Sequence, residues 1–433
     1  MNVIWLALVV ASVITAAFTG SMEAVSTASI ESAKAAVSLA LGLIGVMAFW
    51  LGMMRIVQEG GLLQTVARGL RPVMRRLFPD VPPEHPAMSA MIMNIATNML
   101  GLGNAATPFG IKAMIELNRL NPVRGVATDA MVLFLAINTS NVALAPLGVI
   151  ALRASLGSTN AAGIWLPTLI ATTCSTVAAI SAAMLLRRVA RPASAYPPGE
   201  AAVPAVPTDV PEAVEIAGER PTSPAGCALA VASLALIAIG LALHLRGEVA
   251  GGVPLGGRLR SIASGWLLPV LIAAMLGYGM AKRVPIYDTL IAGAKEGFQV
   301  AVRIIPFLVA IIVAAGMFRA SGLLDLLTRA VGPLSDPFGF PAEALPMAIL
   351  RPLSGSGAYA VMAEIMQVHG PDSYIGYLVS TLQGSTETTF YVIAVYFGAV
   401  GISRVRHAVA CGLIADLAGC VGSVLAVRWL LAA

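Results

Sequence analysis

Long apolar runs recur along the chain, and they constrain its fold more than any other feature. Residues 35–54, 164–186 and 409–430 each approach the ~20 apolar residues that a helix needs to cross a bilayer. Charged residues make up only 11% of the chain, whereas soluble domains average about 25%. Because lipid offers the backbone no hydrogen-bond partners, runs of this length span a membrane as helices. The sequence therefore predicts an all-α polytopic membrane protein, with a short polar loop at 21–34 before the apolar run at 35–54.

One mostly apolar stretch, residues 94–110, combines polar residues with residues that interrupt a helix. Gly101 and Gly103 favour non-helical backbone, and Pro108 removes a backbone donor. A broken helix at membrane depth is tolerated only where it is buried in protein or lines a polar cavity. In transporters such breaks are the best sequence indication of the substrate site. We therefore expect this stretch to contribute to a solute site near the middle of the membrane.

An amphipathic segment follows the second apolar span. Residues 61–78 place apolar side chains at helical spacing and also carry Arg68, Arg71 and Arg75. This pattern predicts a helix that lies in the membrane interface with its arginine face in water. Because cytoplasmic segments carry an excess of arginine and lysine, the pattern also predicts a cytoplasmic position for this helix.

The second half of the chain repeats the plan of the first half. The matched segments are 52–55 with 316–319, 100–105 with 354–359, and 133–141 with 378–386. We therefore expect two helical repeats, at 1–191 and 225–433, joined by a Pro- and Ala-rich cytoplasmic linker at 192–224. Counting spans places the amphipathic segment 61–78 inside and its counterpart 321–331 outside. The repeats are thus expected to be inverted, as they are in many secondary transporters.

The motifs at the predicted breaks resemble those of a known family. Residues 94–110 and 138–141 resemble spore maturation protein A, and residues 351–358 and 383–391 resemble spore maturation protein B. The chain looks like a natural fusion of the two, which belong to the nucleoside-recognition or Gate family. The resemblance implies an inner-membrane protein with paired Gate-like repeats and, in spore-forming bacteria, a role in dehydrating the spore core. It implies no particular substrate.

The candidate substrate-binding residues lie at the four predicted breaks. Those of the first half are Asn94, Asn98, Asn104, Thr107, Asn138, Ser140 and Asn141. Those of the second half are Arg351, Ser354, Ser356, Gln383, Ser385, Thr386 and Glu387. Asparagines four residues apart share one face of a helix, and amides there suit a polar ligand. The alternative is that these side chains only hydrogen-bond neighbouring helices and hold the bundle together.

Ionisable residues inside apolar segments are costly, so they mark functional positions by default. Arg351 is expected to pair with Glu387, and the pair would recognise a zwitterionic or anionic group or form a gate. The alternative is an arginine that reaches the lipid phosphates from the membrane surface. Asp416, inside the last span, is expected to pair with a neighbour or to titrate, and Asp129 opens a short apolar segment.

The leading hypothesis is an inner-membrane permease for a small polar solute, either nucleoside-like or anionic or zwitterionic. A non-transporting scaffold or regulator of envelope or spore-maturation processes is the alternative. We expect no cofactor and no metal site, although Na⁺ or H⁺ would serve as a coupling ion. The expected partners are the solute, the bilayer and a second copy of the chain, with no nucleic acid. No catalytic residues are predicted, and an intramembrane enzyme would depend on Glu387 acting with His407.

Overall fold

The computed structural model describes residues 2–101, 106–144, 146–190, 221–252, 258 and 261–432. The site residue predicted at Asn104 lies outside the described residues, as does nearly all of the linker predicted at 192–224.

The first half forms a series of helices whose starts have local causes. They are α1 (Asn2–Thr19), α2 (Met22–Glu59), α3 (Leu62–Leu77), α4 (Pro86–Met99), α5 (Ala106–Arg119), α6 (Asp129–Ser140), α7 (Leu147–Ser155) and α8 (Trp165–Val189). Thr128 caps α6, because its hydroxyl accepts a hydrogen bond from the Met131 amide at 3.2 Å. Gly101, at the predicted break after α4, has a φ of +72°, a conformation that favours glycine.

The second half begins with two helices, α9 (Pro224–Ala250) and α10 (Leu267–Ala281), and then repeats the order of α2 to α8. The repeated helices are α11 (Ile286–Ala320), α12 (Leu323–Ser335), α13 (Leu345–Leu350), α14 (Gly355–His369), α15 (Tyr374–Ser385), α16 (Thr389–Gly398) and α17 (Ala408–Ala432). Ser373 caps α15 through the Gly376 amide at 2.9 Å, as Thr128 caps the equivalent helix α6.

Four of the described helical segments are long and apolar enough to cross a membrane. They are Met22–Glu59, Ala161–Val189, Pro224–Ala250 and Ala408–Leu431. On α9 most apolar side chains are exposed, including Leu229, Leu236 and Leu243, and only Ala230 is buried. Apolar exposure over this length is stable in lipid and not in water. The predicted all-α polytopic membrane fold is confirmed.

The two repeats are inverted, because their equivalent long helices pack against each other in antiparallel pairs. Near the end of α2, Gly52 lies against the backbone of Leu290 at the start of α11, and Gly316 near the end of α11 lies against Ser32. The equivalent helices α8 and α17 do the same: Ser175 donates a 2.9 Å hydrogen bond to the Ala415 carbonyl. Further along α17, Gly422 packs against the earlier residue Ala171.

Inversion places the two amphipathic helices at opposite ends of the molecule. Helix α3 follows the end of α2 and carries the arginines that define what we call the basic face: Arg68, Arg71, Arg75 and Arg76. Helix α12 follows the end of α11, at what we call the opposite face, where its exposed charges are Asp325 and Arg329. This charge asymmetry matches the prediction that only the first amphipathic helix lies on the positively charged side.

The repeats are interleaved through two broken helices. Helix α6 ends at Ser140, and α7 resumes at Leu147; helix α15 ends at Ser385, and α16 resumes at Thr389. In the described residues, buried side chains of α6 and α16 belong to one apolar cluster, around Phe134 and Phe397. Those of α15 and most of those of α7 belong to another, around Leu152 and Leu378, although Leu147 and Ala151 of α7 belong to the first. Each broken helix therefore passes from its own repeat into the other.

One sequence interpretation is wrong. Residues 21–34 contain Glu23, Glu31 and Lys34, and we expected a polar loop there. The structure instead continues α2 through this segment, and Lys34 pairs with Glu31 one turn away at 2.9 Å. A helix of 38 residues is longer than the hydrocarbon core, so its charged end can lie outside the lipid.

Candidate functional site

The breaks of the two repeats meet in the interior. The Glu387 amide, in the break after α15, donates a 2.8 Å hydrogen bond to the Thr139 carbonyl at the end of α6. Within each repeat the breaks also contact each other: Leu144 N donates to Met99 O at 2.9 Å, and Phe390 N donates to Pro352 O at 3.0 Å. Backbone groups released by one break are thus bound by another, which is how unwound backbone is accommodated at membrane depth.

The break after α4 belongs to a re-entrant hairpin. The Asn94 side chain on α4 donates a 2.8 Å hydrogen bond to the carbonyl of Ala106, the first residue of α5. Twelve residues of continuous helix would hold these positions about 18 Å apart. The chain therefore turns back, so α4 and α5 enter the bundle from the basic face and return to it.

The predicted asparagines of the first half form what we call the amide cluster. The Asn98 side chain donates to the side-chain oxygen Oδ1 of Asn138 at 2.9 Å. The Asn138 side chain in turn donates to the backbone oxygen of Phe134 at 2.9 Å. The Tyr396 hydroxyl joins Asn94, at 3.1 Å, to Asn138, at 3.3 Å. Because most of these polar groups bind one another, the cluster links helices of both repeats, as polar side chains do in membrane bundles.

Tyr396 is a member of this cluster that sequence reasoning missed. It lies on α16 of the second repeat, and its ring stacks on Phe134 with centroids 6.1 Å apart. The ring packs directly against Gly110, where any side chain would overlap it. A tyrosine within a short apolar helix was a weak signal, and only the crossing of the broken helices brings it to the asparagines.

The remaining predicted residues of the first half contribute less. The Ser140 hydroxyl donates to Ala136 O of its own helix at 2.8 Å, and its carbonyl accepts from Thr176 at 2.8 Å. Asn141 is buried where α6 ends, and Thr107 is half-buried in the first turn of α5. These positions lie beside the breaks as expected.

The second half places three ionisable side chains at its breaks, which we call the charged cluster: Arg351, Glu387 and Asp416. Arg351 is 7% exposed, and its Nη2 lies 3.8 Å from Oε2 of Glu387, so the predicted pairing is confirmed. Asp416 is 8% exposed, and its Oδ2 accepts a 2.8 Å hydrogen bond from Thr389. Both carboxylates interact electrostatically with Arg351.

The charged cluster contains buried atoms without hydrogen-bond partners among the described residues. These atoms are Arg351 Nε and Asp416 Oδ1, and Gln383 Oε1 close by in the chain has none either. Buried polar atoms in folded proteins are nearly always paired. Arg351 Nε is a cationic donor, Asp416 Oδ1 is an anionic acceptor and Gln383 Oε1 is a neutral acceptor. Together they can bind a ligand that carries both an anionic group and hydrogen-bond donors.

The hydroxyls predicted around this cluster are near the second-half breaks. Ser354 caps α14 through Gly357 N at 3.1 Å, and Ser385 donates to Leu382 O at 2.9 Å. Thr386 and Ser385 pack against Gly419, one turn beyond Asp416 on α17. Ser356 is half-buried in the first turn of α14. They surround the charged cluster with short polar side chains.

The described residues contain no metal-binding grouping, and Glu387 and His407 have different neighbours. Within the described ranges, no three His, Cys, Asp or Glu side chains are placed to hold a metal ion. Glu387 pairs with Arg351, whereas His407 lies beside Arg406 at the basic face. Burial and the charge of Arg406 lower the pKa of His407 below its ordinary value. The Glu387–His407 combination that an enzyme would need therefore gains no support from these contacts.

Comparison with known proteins identifies the family. The model of the Gate family, described as nucleoside recognition, matches residues 40–190 and 301–403. The chain belongs to the Gate family. The matched segments contain both broken helices and both amphipathic helices, so Gate family features coincide with the inverted repeats.

Two relatives of this Gate protein come from Bacillus subtilis (strain 168). Spore maturation protein B is 46% identical over 164 residues, which are 38% of this chain and 92% of the relative. Spore maturation protein A is 43% identical over 180 residues, which are 42% of this chain and 92% of the relative. The resemblance of the sequence motifs to spore maturation proteins A and B is thus confirmed. No solved structure matches the chain.

Proposed function

We propose that this Gate protein is an inner-membrane transporter for a small zwitterionic or anionic solute, which is bound at the charged cluster. The observation that carries the proposal lies at the crossing of two broken helices, where a buried arginine Nε and a buried aspartate Oδ1 have no hydrogen-bond partner in the part of the chain that the structure describes. Broken helices of inverted repeats form solute sites in many secondary transporters.

The two halves of the candidate site differ in how much of their hydrogen-bonding capacity is free, and this difference favours one class of solute. The amide cluster, which would suit a nucleobase, is largely closed by its own hydrogen bonds, to which Tyr396 contributes, and of its buried atoms only Asn94 Oδ1 has no partner among the described residues. The charged cluster holds one positive and two negative groups whose hydrogen-bonding capacity is incompletely used. A solute with a carboxylate for Arg351 and an ammonium or hydroxyl for Asp416 would complement it. The family description of nucleoside recognition makes nucleosides the main competing class.

A non-transporting scaffold is the second candidate. The closed amide cluster favours it, because asparagines that bind each other hold helices together without a ligand. The two candidates differ in what they require of the charged cluster: a transporter needs Arg351 to bind a solute, and a scaffold does not.

Thermal unfolding of the purified protein against a solute panel tests the proposal. The panel contains amino acids, organic acids, nucleosides and lipid head groups, at varied Na⁺ and pH. A ligand that binds only the folded state at one hundred times its Kd stabilises it by about 2.7 kcal/mol. We expect stabilisation by zwitterionic or anionic solutes, its loss in Arg351→Gln, and its retention in Arg329→Gln, which alters an exposed arginine.

Two outcomes would count against the proposal. Equal stabilisation of wild type and Arg351→Gln would place binding elsewhere. No stabilisation by any solute, with both proteins folded and monodisperse, would favour the scaffold.

A further inference from the structure

An ion pair with a buried arginine joins the two repeats at the opposite face. Arg153, near the end of α7, is fully buried, and its Nη2 lies 2.9 Å from Oδ1 of Asp372 in the loop before α15. Its Nη1 donates to Pro371 O at 2.6 Å and to Ser380 at 3.2 Å. The guanidinium also lies 4.2 Å from the ring centre of Tyr377. All of these partners of a first-repeat arginine belong to the second repeat, and Nη2 also donates to Ser158 Oγ and to Asn160 O in the loop after α7, each at 3.3 Å.

Asp372 is fixed from the first repeat as well. Its Oδ2 accepts hydrogen bonds from the Thr159 amide at 2.7 Å and the Thr159 hydroxyl at 2.8 Å. Its Oδ1 accepts from Ser158 at 2.5 Å. The loop after α7 and the loop before α15 are therefore fastened by one carboxylate and one guanidinium.

A second ion pair joins the repeats at the basic face. Arg406 follows α16, its side chain is 2% exposed, and its Nη1 lies 2.6 Å from Oδ1 of Asp129 at the start of α6. The same nitrogen donates to Ala127 O at 3.1 Å. The backbones also pair here, since Ala127 N donates to Arg404 O at 3.0 Å.

The two ion pairs are analogous under the inverted repeat, although their residues are not at aligned positions. In each pair the arginine lies near or after the end of the second arm of a broken helix, α7 or α16. In each pair the aspartate lies at or before the start of the first arm of the other repeat's broken helix, α15 or α6. Equivalent helix ends in inverted repeats lie at opposite faces of a membrane. Each face therefore carries a similar contact between an outgoing arm of one repeat and an incoming arm of the other.

We propose that these two ion pairs, Arg153–Asp372 and Arg406–Asp129, are latches that control access to the breaks, each from its own face of the membrane. This inference rests on the proposed transport function. The structure has both latches closed. An ion pair with a buried arginine and a partly exposed aspartate is a suitable latch, because losing the aspartate leaves the buried positive charge uncompensated.

A surface crevice supports this inference at the basic face. Asp129 lines it together with Leu133 of the same helix, Phe78 and Arg187. The crevice runs between α3, α6 and α8 and reaches the carboxylate that Arg406 binds. If Arg406 separated from Asp129, the opening toward the breaks would therefore begin at this existing crevice.

Sided labelling of a single cysteine tests the latches without any solute. Cys174, Cys227, Cys411 and Cys420 are replaced, and Ser356→Cys introduces a reporter thiol at a second-repeat break. Vesicles of both orientations are treated with a membrane-impermeant maleimide. We expect Asp129→Asn to raise the labelling rate several-fold from the basic face only. We expect Asp372→Asn to raise it several-fold from the opposite face only.

Matched controls and a rescue separate latches from general stabilising contacts. Glu84→Gln and Glu31→Gln remove exposed ion-pairing carboxylates at the basic and opposite faces, and neither is expected to change labelling. Exchange of charges in the double variant Asp129→Arg with Arg406→Asp is expected to return labelling toward the parent rate. If Asp372→Asn fails to fold, Ser158→Ala removes one bond to the same carboxylate and is read in its place.

The outcomes distinguish this inference from the proposed function. Labelling that rises equally from both faces would overturn the proposed latches, and so would labelling that rises in neither aspartate variant. Neither result would bear on solute binding at the charged cluster. Sided labelling in a protein that binds no solute would support the latches and count against transport.

Discussion

At the scale of single residues, the buried polar groups of the breaks divide into a closed set and an open set. Asn98, Asn138 and Tyr396 bind one another, and Asn94 Oδ1 is the one buried atom of this amide cluster without a partner among the described residues; in the charged cluster both Arg351 Nε and Asp416 Oδ1, which carry charge, have none. Leaving a buried polar group unpaired costs about 1–3 kcal/mol, so the open set is where a solute would gain most. This difference is the reason for assigning recognition to the second repeat.

Asp372 carries a pH prediction at the same scale. Burial opposes its ionisation, but hydrogen bonds from Ser158 and Thr159, together with Arg153, outweigh burial and lower its pKa below the ordinary value. A lowered pKa in the folded state contributes stability above the unfolded pKa of about 3.9, and that stability is lost as pH falls through the folded pKa. The stability difference between wild type and Asp372→Asn should thus be constant above about pH 5 and shrink at lower pH.

Denaturation in mixed micelles at several pH values would measure this difference, with Asp325→Asn, an exposed aspartate at the same face, as the control. A difference that grows on acidification would contradict the assignment of Asp372 as an ionised, stabilised partner.

The sequence identified some of these residues and could not identify others. The Arg351–Glu387 pairing was predictable, because an arginine and a glutamate at matched breaks of an apolar chain have few other partners. Tyr396 was not predictable, because it reaches the asparagines only through the crossing of α16 into the first repeat. Arg153 and Arg406 lie near helix ends, where arginines are ordinary, so their burial becomes visible only in three dimensions.

At the scale of elements, the close contact between α5 and α16 depends on a glycine. The ring of Tyr396 occupies the position of a side chain at Gly110. We expect Gly110→Ala to lower the free energy of unfolding by about 1–3 kcal/mol, the usual cost of forcing an extra methyl group into a packed interior. Chemical denaturation in mixed micelles would measure it.

Gly148→Ala is the matched control, because it lies on the exposed side of α7 with open space around the added carbon. Alanine in a helix is favoured over glycine by roughly 0.5–1 kcal/mol, so this variant should be neutral or more stable. Equal losses in both variants would show that α5 and α16 do not depend on this contact.

Local signals explain which elements were predictable. Apolar side chains at helical spacing specified α3, and glycine, proline and clustered polar residues located the breaks. The segment 21–34 was misjudged because its charged side chains suggested a loop, whereas they extend α2 beyond the lipid. No local pattern encodes the exchange of α7 and α16 between repeats, since that arrangement depends on packing between distant segments.

At the scale of the whole molecule, two inverted repeats place one set of breaks at their shared centre and one of the two proposed latches at each face. The antiparallel packing of α2 with α11 and of α8 with α17 provides the frame. Within it, the broken helices α6–α7 and α15–α16 connect the centre with the two faces. In the proposed transporter, this arrangement would give the solute one route of access from each side of the membrane.

The most direct test of this account is uptake by proteoliposomes from an equimolar mixture of amino acids, organic acids and nucleosides, with the contents identified by mass spectrometry. We predict that wild type and Arg329→Gln accumulate the same zwitterionic or anionic solute, and that Arg351→Gln accumulates none above empty liposomes. Equal uptake by Arg351→Gln, or uptake of nucleosides alone that is insensitive to Arg351, would contradict solute recognition at the charged cluster.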